Sequence, residues 1–446
     1  MQSKRDWLLG ACLSVFTGIA AAALPIQHWK TPRGAHVYFI ENHDLPMLDI
    51  SVTFPAGSAW DVPRQAGLAY LTRRLLPLGA GGVSEAKIAD RLADVGAVLN
   101  GRFDRDRAGL ALRTLSGARV RGQALGVLAD ILQRPDFPAA VVAREKQRVI
   151  AAIEEVSTQP AYLARRAFFA ALYGNQGYGL PRRGTTDTVA RLTRMDVQTF
   201  YRRHYRVDRA VVALVGDMSR QQAEAVARRL TAALPAPAAE RLRLPPPATP
   251  AGPRSRFIAN PAKQSHILVG ALGIRRGDPD YFPLLVGNYL LGGGGFASRL
   301  MREIREKRGL AYSVSSYFEP LQRPGPFVIG LQTQKAQTSQ ALTLVRQTVA
   351  DFVAQGPTPA EVARAKRHLR LGFPLRIDTN RKLLEYLSLI GYYRLPLNYL
   401  DDFTRQVGKV NAAAIRNAFI RHVHPRTLVT VVVGARSGAP AAAVSP

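Results

Sequence analysis

Residues 196–216 read DVQTFYRRHYRVDRAVVALVG, and residues 411–434 read NAAAIRNAFIRHVHPRTLVTVVVG. In each stretch the spacing of apolar residues predicts a helix, followed by an apolar strand that ends in glycine. The two final glycines are separated by 434 − 216 = 218 residues. A repeat of this length indicates that a whole domain is duplicated, because the repeats of solenoid proteins are only roughly 20–50 residues long.

The beginnings of the two halves are also alike. Residues 47–76 and 265–292 each contain an alternating strand, a polar turn and an amphipathic helix, in that order and at nearly the same offset. Between the halves, residues 235–253 contain seven prolines, which predicts an extended and exposed linker. Strands that come early and late, with helices between them, favour an α+β fold in which a mixed or antiparallel sheet is covered by helices on one face.

The sequence therefore predicts two homologous domains. They cover residues 24–234 and 254–436, are joined by the linker, and are followed by a loose tail at 437–446. In the first domain we predict strands at 35–40 and 47–54, and helices at 65–76, 84–95, 120–132, 139–153 and 160–172.

Composition excludes several classes of protein. With 446 residues, 47% of them hydrophobic and 21% charged, the chain is globular rather than a disordered polyelectrolyte. Its one cysteine, Cys12, excludes an intramolecular disulfide framework, a cysteine-ligated zinc ribbon and an iron–sulfur cluster, each of which needs several thiolates. The net charge of +29 comes from 51 arginines and ten lysines against 32 acidic residues. Because the arginines are scattered, we interpret the charge as a solvated basic surface rather than a nucleic-acid site.

The first 23 residues have the pattern of a secretory signal peptide. Lys4 and Arg5 precede an apolar run at 8–20, and the small residues at 21–23 offer cleavage sites. An uncleaved membrane anchor, or lipoprotein cleavage before Cys12, is a less favoured interpretation. We therefore expect an exported protein, in the bacterial periplasm, which contacts membranes only peripherally.

The segment GLAYLTRRLL, residues 67–76, places Tyr70, Arg73 and Arg74 on one helix face. It resembles the motif Gly-Leu-Ala-His-x-x-Glu-His, which begins the zinc helix in the insulinase, pitrilysin and mitochondrial processing peptidase family, whose members are inverzincins. The resemblance puts Tyr70 and Arg74 where that family has its two histidine ligands, and Arg73 where it has the glutamate that activates water. A neutral phenol is a poor ligand and guanidinium groups stay protonated, so these side chains neither bind zinc nor act as a base.

The same resemblance implies a third ligand, a glutamate on a later helix. In RVIAAIEEV, residues 148–156, the best register puts Ala152 at that position, while Glu154 and Glu155 are out of phase with it. All three ligands and the base are therefore absent, and we expect no metal in this chain. The open alternative is that Glu154 or Glu155 binds a metal from a displaced position.

Residues 290–314, LLGGGGFASRLMREIREKRGLAYSV, are similar to the C-terminal domain of the same family. The resemblance implies that Arg305 and Tyr312 hold the substrate backbone and stabilise an oxyanion across the cleft from zinc. A flexible glycine loop would border the same cleft; it consists of Gly292, Gly293, Gly294 and Gly295. The alternative is that Arg305 forms a surface ion pair with Glu303 or Glu306, and that Tyr312 packs in a strand.

One half of an active site is thus present and the other is lost. The chain resembles the zinc-free Arg/Tyr subunit of a bacterial two-chain peptidase, which implies a homologous zinc-bearing partner and short or unfolded peptides as substrates. Alone it is expected to be inactive. The alternative is a stand-alone peptide-binding or scaffold protein with no catalytic role.

Two other clusters are weaker candidates. His422 and His424 lie two residues apart where a helix should end, with no carboxylate nearby in sequence, so we do not expect a metal site there. The basic stretch at 200–206 interleaves aromatic residues, whose rings are expected to pack on the sheet rather than stack on nucleic-acid bases.

Overall fold

The computed structural model describes residues 25–238, 243–247, 252 and 254–434. The predicted signal peptide and the predicted tail therefore lie outside the described residues. The strands are β1 Gln27–Lys30, β2 His36–Glu41, β3 Met47–Phe54, β4 Val98–Phe103, β5 Ala108–Leu115, β6 Val211–Gly216, β7 Ser255–Ala259, β8 Gln264–Leu272, β9 Ala311–Phe318, β10 Pro326–Gln334 and β11 Val429–Gly434. The helices are α1 Leu68–Leu75, α2 Glu85–Ala93, α3 Ala118–Gln133, α4 Ala139–Ser157, α5 Pro160–Tyr173, α6 Thr186–Arg191, α7 Arg194–His204, α8 Arg220–Thr231, α9 Tyr281–Asn288, α10 Thr338–Gln355, α11 Pro359–Leu371, α12 Asn380–Tyr393, α13 Tyr399–Lys409 and α14 Ala412–His422.

The strands form two mixed sheets that share a five-strand topology, and the first sheet has β1 as an additional edge strand. Their orders are β1-β2-β6-β3-β5-β4 and β7-β11-β8-β10-β9. In each sheet one pair is parallel, β2 with β6 and β7 with β11, and the other pairs are antiparallel. Strand β6 begins at Val211 and β11 at Val429, again 429 − 211 = 218 residues apart. The predicted duplication and the α+β class are confirmed.

Helices cover both faces of each sheet, so the expectation of one covered face is wrong. In the first sheet, Phe39 and Val52 pack in one core with α1, α3 and α7, while Tyr38 and Ala213 point to the opposite side and pack with α12. Alternate residues of a strand face opposite sides, and here the residues of both sides are apolar.

The second covering helix of each sheet comes from the other half of the chain. Helix α12 packs on β6, β3 and β2 of the first sheet, and α5 packs on β11 and β8 of the second. The sequence of one half of the chain does not indicate that a helix from the other half covers its sheet. The domain boundaries stay predictions, although the two sheets do lie on either side of residues 235–253.

The described part of the linker is not wholly exposed. Leu244 is buried in a small core with α5, and its carbonyl accepts hydrogen bonds from Arg323. The aromatic residues Phe200, Tyr201 and Tyr205 are buried beside the first sheet, as expected. Within the described ranges, no helix has the length and apolarity needed to cross a bilayer.

Candidate functional site

Helix α1 begins at a cap supplied by Asp61. The two carboxylate oxygens of Asp61 accept hydrogen bonds from the backbone N–H groups of Gly67 and Ala69, each over 2.8 Å. Gly67 has φ of +96°, a left-handed conformation that favours glycine. Burial raises the pKa of Asp61 to about 8, although the two hydrogen bonds favour the charged form. The cap fixes where α1 begins, and hence which way the next turn of side chains points.

Tyr70 lies at the centre of a cationic cluster. The guanidinium carbons of Arg73, Arg74 and Arg183 lie 5.8, 5.9 and 5.6 Å from the centroid of the Tyr70 ring. The Phe103 ring packs against Tyr70 at a centroid distance of 5.3 Å. The three guanidinium groups share the face and edge of one aromatic ring, and their positive charge leaves no position for a divalent metal ion.

The face of α1 is bound to α4 by an ion pair. Arg74 donates from Nε and Nη2 to Glu145 Oε2, over 3.2 and 2.5 Å. Arg148 Nη1 donates to the other oxygen of Glu145 over 2.6 Å, and the Glu145 side chain is wholly buried. Burial raises the pKa of the Glu145 carboxyl, but Arg74 and Arg148 outweigh it, so the net pKa is lowered.

Sequence reasoning missed Glu145, although a signal was present. Glu145 precedes Ala152 by seven residues, which is about two helical turns, so both residues lie on one side of α4. A carboxylate at that spacing, facing a helix that carries two arginines, is a candidate ion-pair partner.

Among the described residues, no carboxylate lies beside the half-buried Arg73. Its Nε is buried and has no hydrogen-bond partner. The pKa of Arg73 is lowered, mainly because the guanidinium group is largely buried. A Cβ at residue 101 of strand β4 would overlap the Arg73 guanidinium, so Gly101 is needed to make room for it. Arg73 is therefore a structural part of the fold, with no basic nitrogen to activate water.

The carboxylates near Ala152 do not complete a metal site. Ala152 is half-buried on α4, whereas Glu154 and Glu155 are exposed, consistent with their being out of phase. In the part of the chain that the structure describes, one group of three possible metal ligands lies close together, and it lies elsewhere: Asp278, Asp280 and His422.

No carboxylate lies near His422 in sequence, but the fold brings Asp278 and Asp280 to it from 142–144 residues away. His422 Nε2 lies 2.9 Å from Asp280 Oδ2, on the turn that precedes α9. Both oxygens of Asp280 also accept hydrogen bonds from Arg421, over 2.8 and 2.6 Å. The carboxylate is thus already neutralised by a guanidinium, and the cluster is an ion-pair network.

Arg305 and Tyr312 lie together on the surface of the second domain. The Arg305 guanidinium carbon is 4.6 Å from the Tyr312 ring centroid and 4.8 Å from that of Phe296. Tyr312 is 83% exposed and Phe296 63% exposed. Arg305 stands in a π-helical turn, Met301–Glu306, and Tyr312 is the second residue of β9, the edge strand of its sheet. The structure therefore brings both residues to one exposed site.

Among the described residues, neither Glu303 nor Glu306 forms an ion pair with Arg305. Glu303 is bound instead by Arg302, Lys307 and Arg308. The side chain of Arg305 is held by the two aromatic rings, so its N–H donors stay available to a ligand.

The glycine segment packs closely against its neighbours. A Cβ on Gly292 would lie 2.5 Å from Ser316 Oγ and 2.7 Å from Ser316 N, and one on Gly293 would lie 2.6 Å from Asn288 Nδ2. A Cβ on Gly294 would lie 2.6 Å from the Tyr289 carbonyl oxygen, and Gly295 has φ of +57°. Because these glycines have no side chains, the segment can pack closely against its neighbours beside β9, so flexibility alone does not explain the glycines.

Comparison with known proteins places these features in a family context. A family model described as "Insulinase (Peptidase family M16)" matches residues 37–186, and one described as "Peptidase M16 inactive domain" matches residues 191–369. The chain is similar to a crystal structure described as the peptidase M16 inactive domain from Pseudomonas fluorescens. The two are 36% identical, with a TM-score of 0.89, and the match covers 93% of this chain and 98% of the other.

Two curated relatives have different names. The chain is 27% identical to the "Non-peptidase homolog YmxG" of Helicobacter pylori, over 96% of this chain and 98% of the relative. It is 24% identical to the "Uncharacterized zinc protease YmxG" of Bacillus subtilis, over 86% of this chain and 93% of the relative. A solved protease structure from Helicobacter pylori shares the fold, with a TM-score of 0.82 at 17% identity; it covers 92% of this chain and 100% of the other.

Proposed function

Because this chain belongs to the M16 peptidase family, we propose that it is the zinc-free, substrate-binding subunit of an exported two-chain metallopeptidase. A homologous partner chain would carry the zinc, and the present chain would be inactive alone. In the proposal the mature chain works in the bacterial periplasm on short or unfolded peptides.

The relatives of the chain and the residues at its zinc positions support the proposal that it does not bind zinc itself. It matches an inactive M16 domain and is similar to a relative named as a non-peptidase homologue. The residues at the zinc positions do not fit the metal, because Tyr70 is surrounded by guanidinium groups and Arg74 is bonded to Glu145. Any zinc chemistry would therefore need ligands from another chain.

The stacking of Arg305 on Tyr312 is the main observation that supports the proposed substrate-binding role. Arg305 offers several N–H donors and Tyr312 a hydroxyl donor, both at an exposed site with no partner carboxylate at Arg305 among the described residues. Donors held in advance are suited to a carbonyl oxygen that becomes negatively charged during peptide hydrolysis. The adjacent edge of β9 offers backbone groups to an extended peptide.

The test is to co-express this chain with a zinc-bearing M16 homologue from the same genome, and to assay peptide cleavage by each chain alone and by both together. We expect cleavage only by the pair. Tyr312→Phe and Arg305→Ala should each lower the kcat of the pair by about 10²–10³-fold, the usual cost of losing one oxyanion donor.

Arg308→Ala is the matched control, because Arg308 lies near Arg305 in sequence but is already bound to Glu303. It removes one positive charge from the same surface and should leave kcat within about twofold. If Arg305→Ala and Tyr312→Phe behave like this control, the chain has no catalytic role and the scaffold alternative holds. Cleavage by this chain alone would contradict the proposal outright.

A further inference from the structure

A cavity of about 410 Å³ opens beside Tyr70, between the start of α5 and the loop at 179–183. We call it the arginine cavity. Its lining contains no acidic residue and five arginines, which are Arg105, Arg165, Arg166, Arg182 and Arg183. This concentration of positive charge around a half-open cavity is unfavourable, and a bound anion would relieve it.

Arg105 is the most deeply placed of the five. It is 4% exposed, and its guanidinium carbon lies 3.5 Å from the centroid of the Phe169 ring. Nη1 donates to the carbonyl oxygen of Tyr178 over 2.7 Å, but the buried Nε has no hydrogen-bond partner among the described residues. A buried donor of a charged group that is left without a partner costs free energy, which a ligand would recover.

Arg182 is a second lining arginine with the same pattern. Its Nη2 donates to the Phe103 carbonyl oxygen over 2.8 Å, while its buried Nε has no hydrogen-bond partner in the described part of the chain. Arg165 has a carboxylate neighbour, Glu319, but at 3.9 Å from Nη2 this is a loose ion pair. The pKa of Arg105 is lowered to about 10, mainly by burial; the charges of Arg165 and Arg182 add to this effect and that of Glu319 opposes it.

We infer that the arginine cavity binds a carboxylate of a peptide, supplied either by an acidic side chain or by the peptide's C-terminus. Guanidinium groups match the planar, two-oxygen geometry of a carboxylate. Phe169, Tyr162 and Leu180 also line the cavity and would contact the apolar part of the same peptide. The inference deepens the proposed function and rests on it for one point, that the ligand is a peptide.

Calorimetric titration of the full chain alone tests the inference, with three peptides of Gly, Ser and Ala residues. The first has a central Glu-Glu pair and an amidated C-terminus, the second has Gln-Gln in place of that pair, and the third is the Gln-Gln peptide with a free carboxylate. We expect the first or the third to bind at one site at least roughly tenfold more tightly than the second, since a hydrogen bond to a charged group is worth about that much. Whichever of the two binds identifies the source of the carboxylate.

Variants separate the cavity from the overall charge of +29. The double variant Arg165→Gln/Arg183→Gln neutralises two exposed side chains of the cavity and should abolish the preference for the carboxylate peptide. The double variant Arg191→Gln/Arg426→Gln removes the same charge from exposed residues outside the cavity lining and should keep the preference.

Three outcomes would overturn the inference. They are equal binding of all three peptides, equal losses in the two double variants, and binding of inorganic phosphate as tight as that of the carboxylate peptide. The experiment needs no partner chain. A failure of binding is therefore distinguishable from a failure of the proposed two-chain activity, which is read from cleavage by the pair.

Discussion

Arg74 Nη2 lies 2.5 Å from Glu145 Oε2, so two helices that would hold a metal between them in a zinc peptidase are joined here by an ion pair. Glu145 is wholly buried and Arg74 is one-third exposed. For Arg74, burial is the largest single influence and lowers the pKa, but hydrogen bonds to Glu145 and Tyr70 outweigh it and leave the pKa raised. At the position of the second histidine ligand, α1 is therefore joined to α4 through a buried carboxylate.

Arg74→Met should destabilise the fold by about 2 kcal/mol, because it leaves the buried Glu145 carboxylate with Arg148 as its main partner. Glu145→Met should cost less, since Arg74 keeps access to solvent. The double variant should be more stable than the sum of the two single losses predicts. The measurement is urea unfolding followed by far-UV circular dichroism.

The exposed pair of Arg134 and Asp130 provides the control. Its arginine side chain is 62% exposed, so Arg134→Met should cost less than about 1 kcal/mol. Equal losses for Arg74→Met and Arg134→Met would contradict a structural role for the pair on α1.

The chain alone is expected to bind no zinc stoichiometrically, and EDTA should leave its Tm unchanged. The physical reason is that Arg73 and Arg74 place fixed positive charge where a cation would lie. Equilibrium dialysis against zinc measures this directly, with the zinc-bearing homologue as the positive control. Tight binding that disappears in Glu154→Gln/Glu155→Gln would instead establish the displaced site.

Much of the fold was predictable because it depends on local patterns that occur twice. The alternation in 47–54 matches β3 at both ends, and the predicted helix at 139–153 matches the start of α4. Strands β4 and β5 were not predicted, because Gly101 and Arg102 interrupt the first and Gly109 the second. The family resemblance is confirmed by the matches to M16 models and structures.

Residues of the candidate site could be grouped from sequence only where they lie close together in the chain. Tyr70, Arg73 and Arg74 share a face because one helix carries them, and Arg305 and Tyr312 lie close together in the chain. Partners such as Glu145 for Arg74, or Asp280 for His422, come from segments 71 and 142 residues away. Tertiary packing brings them together. The seven-residue spacing of Glu145 and Ala152 was a signal for the first pair, whereas the local pattern around His422 gives none for the second.

Acid should destabilise the protein through His204. This side chain is buried between Phe200 and Trp60, and its Nδ1–H donates to the Pro55 carbonyl oxygen over 3.0 Å. Burial lowers the pKa of His204 from 6.5 to about 3, so the unfolded chain takes up a proton that the folded chain does not. Between these values the free energy of unfolding should fall by about 1.4 kcal/mol for each pH unit as the pH decreases.

His204→Asn keeps a donor but does not titrate, so its stability should depend less on pH in that window. His424→Asn changes an exposed histidine and should follow the wild type. Urea unfolding at pH 4.5, 5.5 and 6.5 gives the slopes. Identical slopes for the wild type and His204→Asn would show that another group governs acid stability.

Asp106 connects the two halves of the chain. Its carboxylate accepts hydrogen bonds from the Tyr393 hydroxyl and the Gln322 N–H, each over 2.7 Å, and from the Tyr178 hydroxyl. Burial raises the pKa of Asp106, while the hydrogen bonds from Tyr178 and Tyr393 lower it. Since Tyr393 ends α12, the helix that packs on the first sheet from the second half, this carboxylate holds the exchanged helix in place.

Tyr393→Phe should therefore lower the free energy of unfolding by about 1.5 kcal/mol, as expected for a lost hydrogen bond to a buried carboxylate. Tyr312→Phe removes the same hydroxyl from a side chain that is 83% exposed, and it should leave stability unchanged. The pair also separates the two roles of tyrosine in this protein, because Tyr312→Phe is expected to impair peptide cleavage by the two-chain complex without unfolding it. Equal stability of Tyr393→Phe and Tyr312→Phe would mean that packing of α12 against β6 and β3, rather than the Asp106 network, holds the halves together.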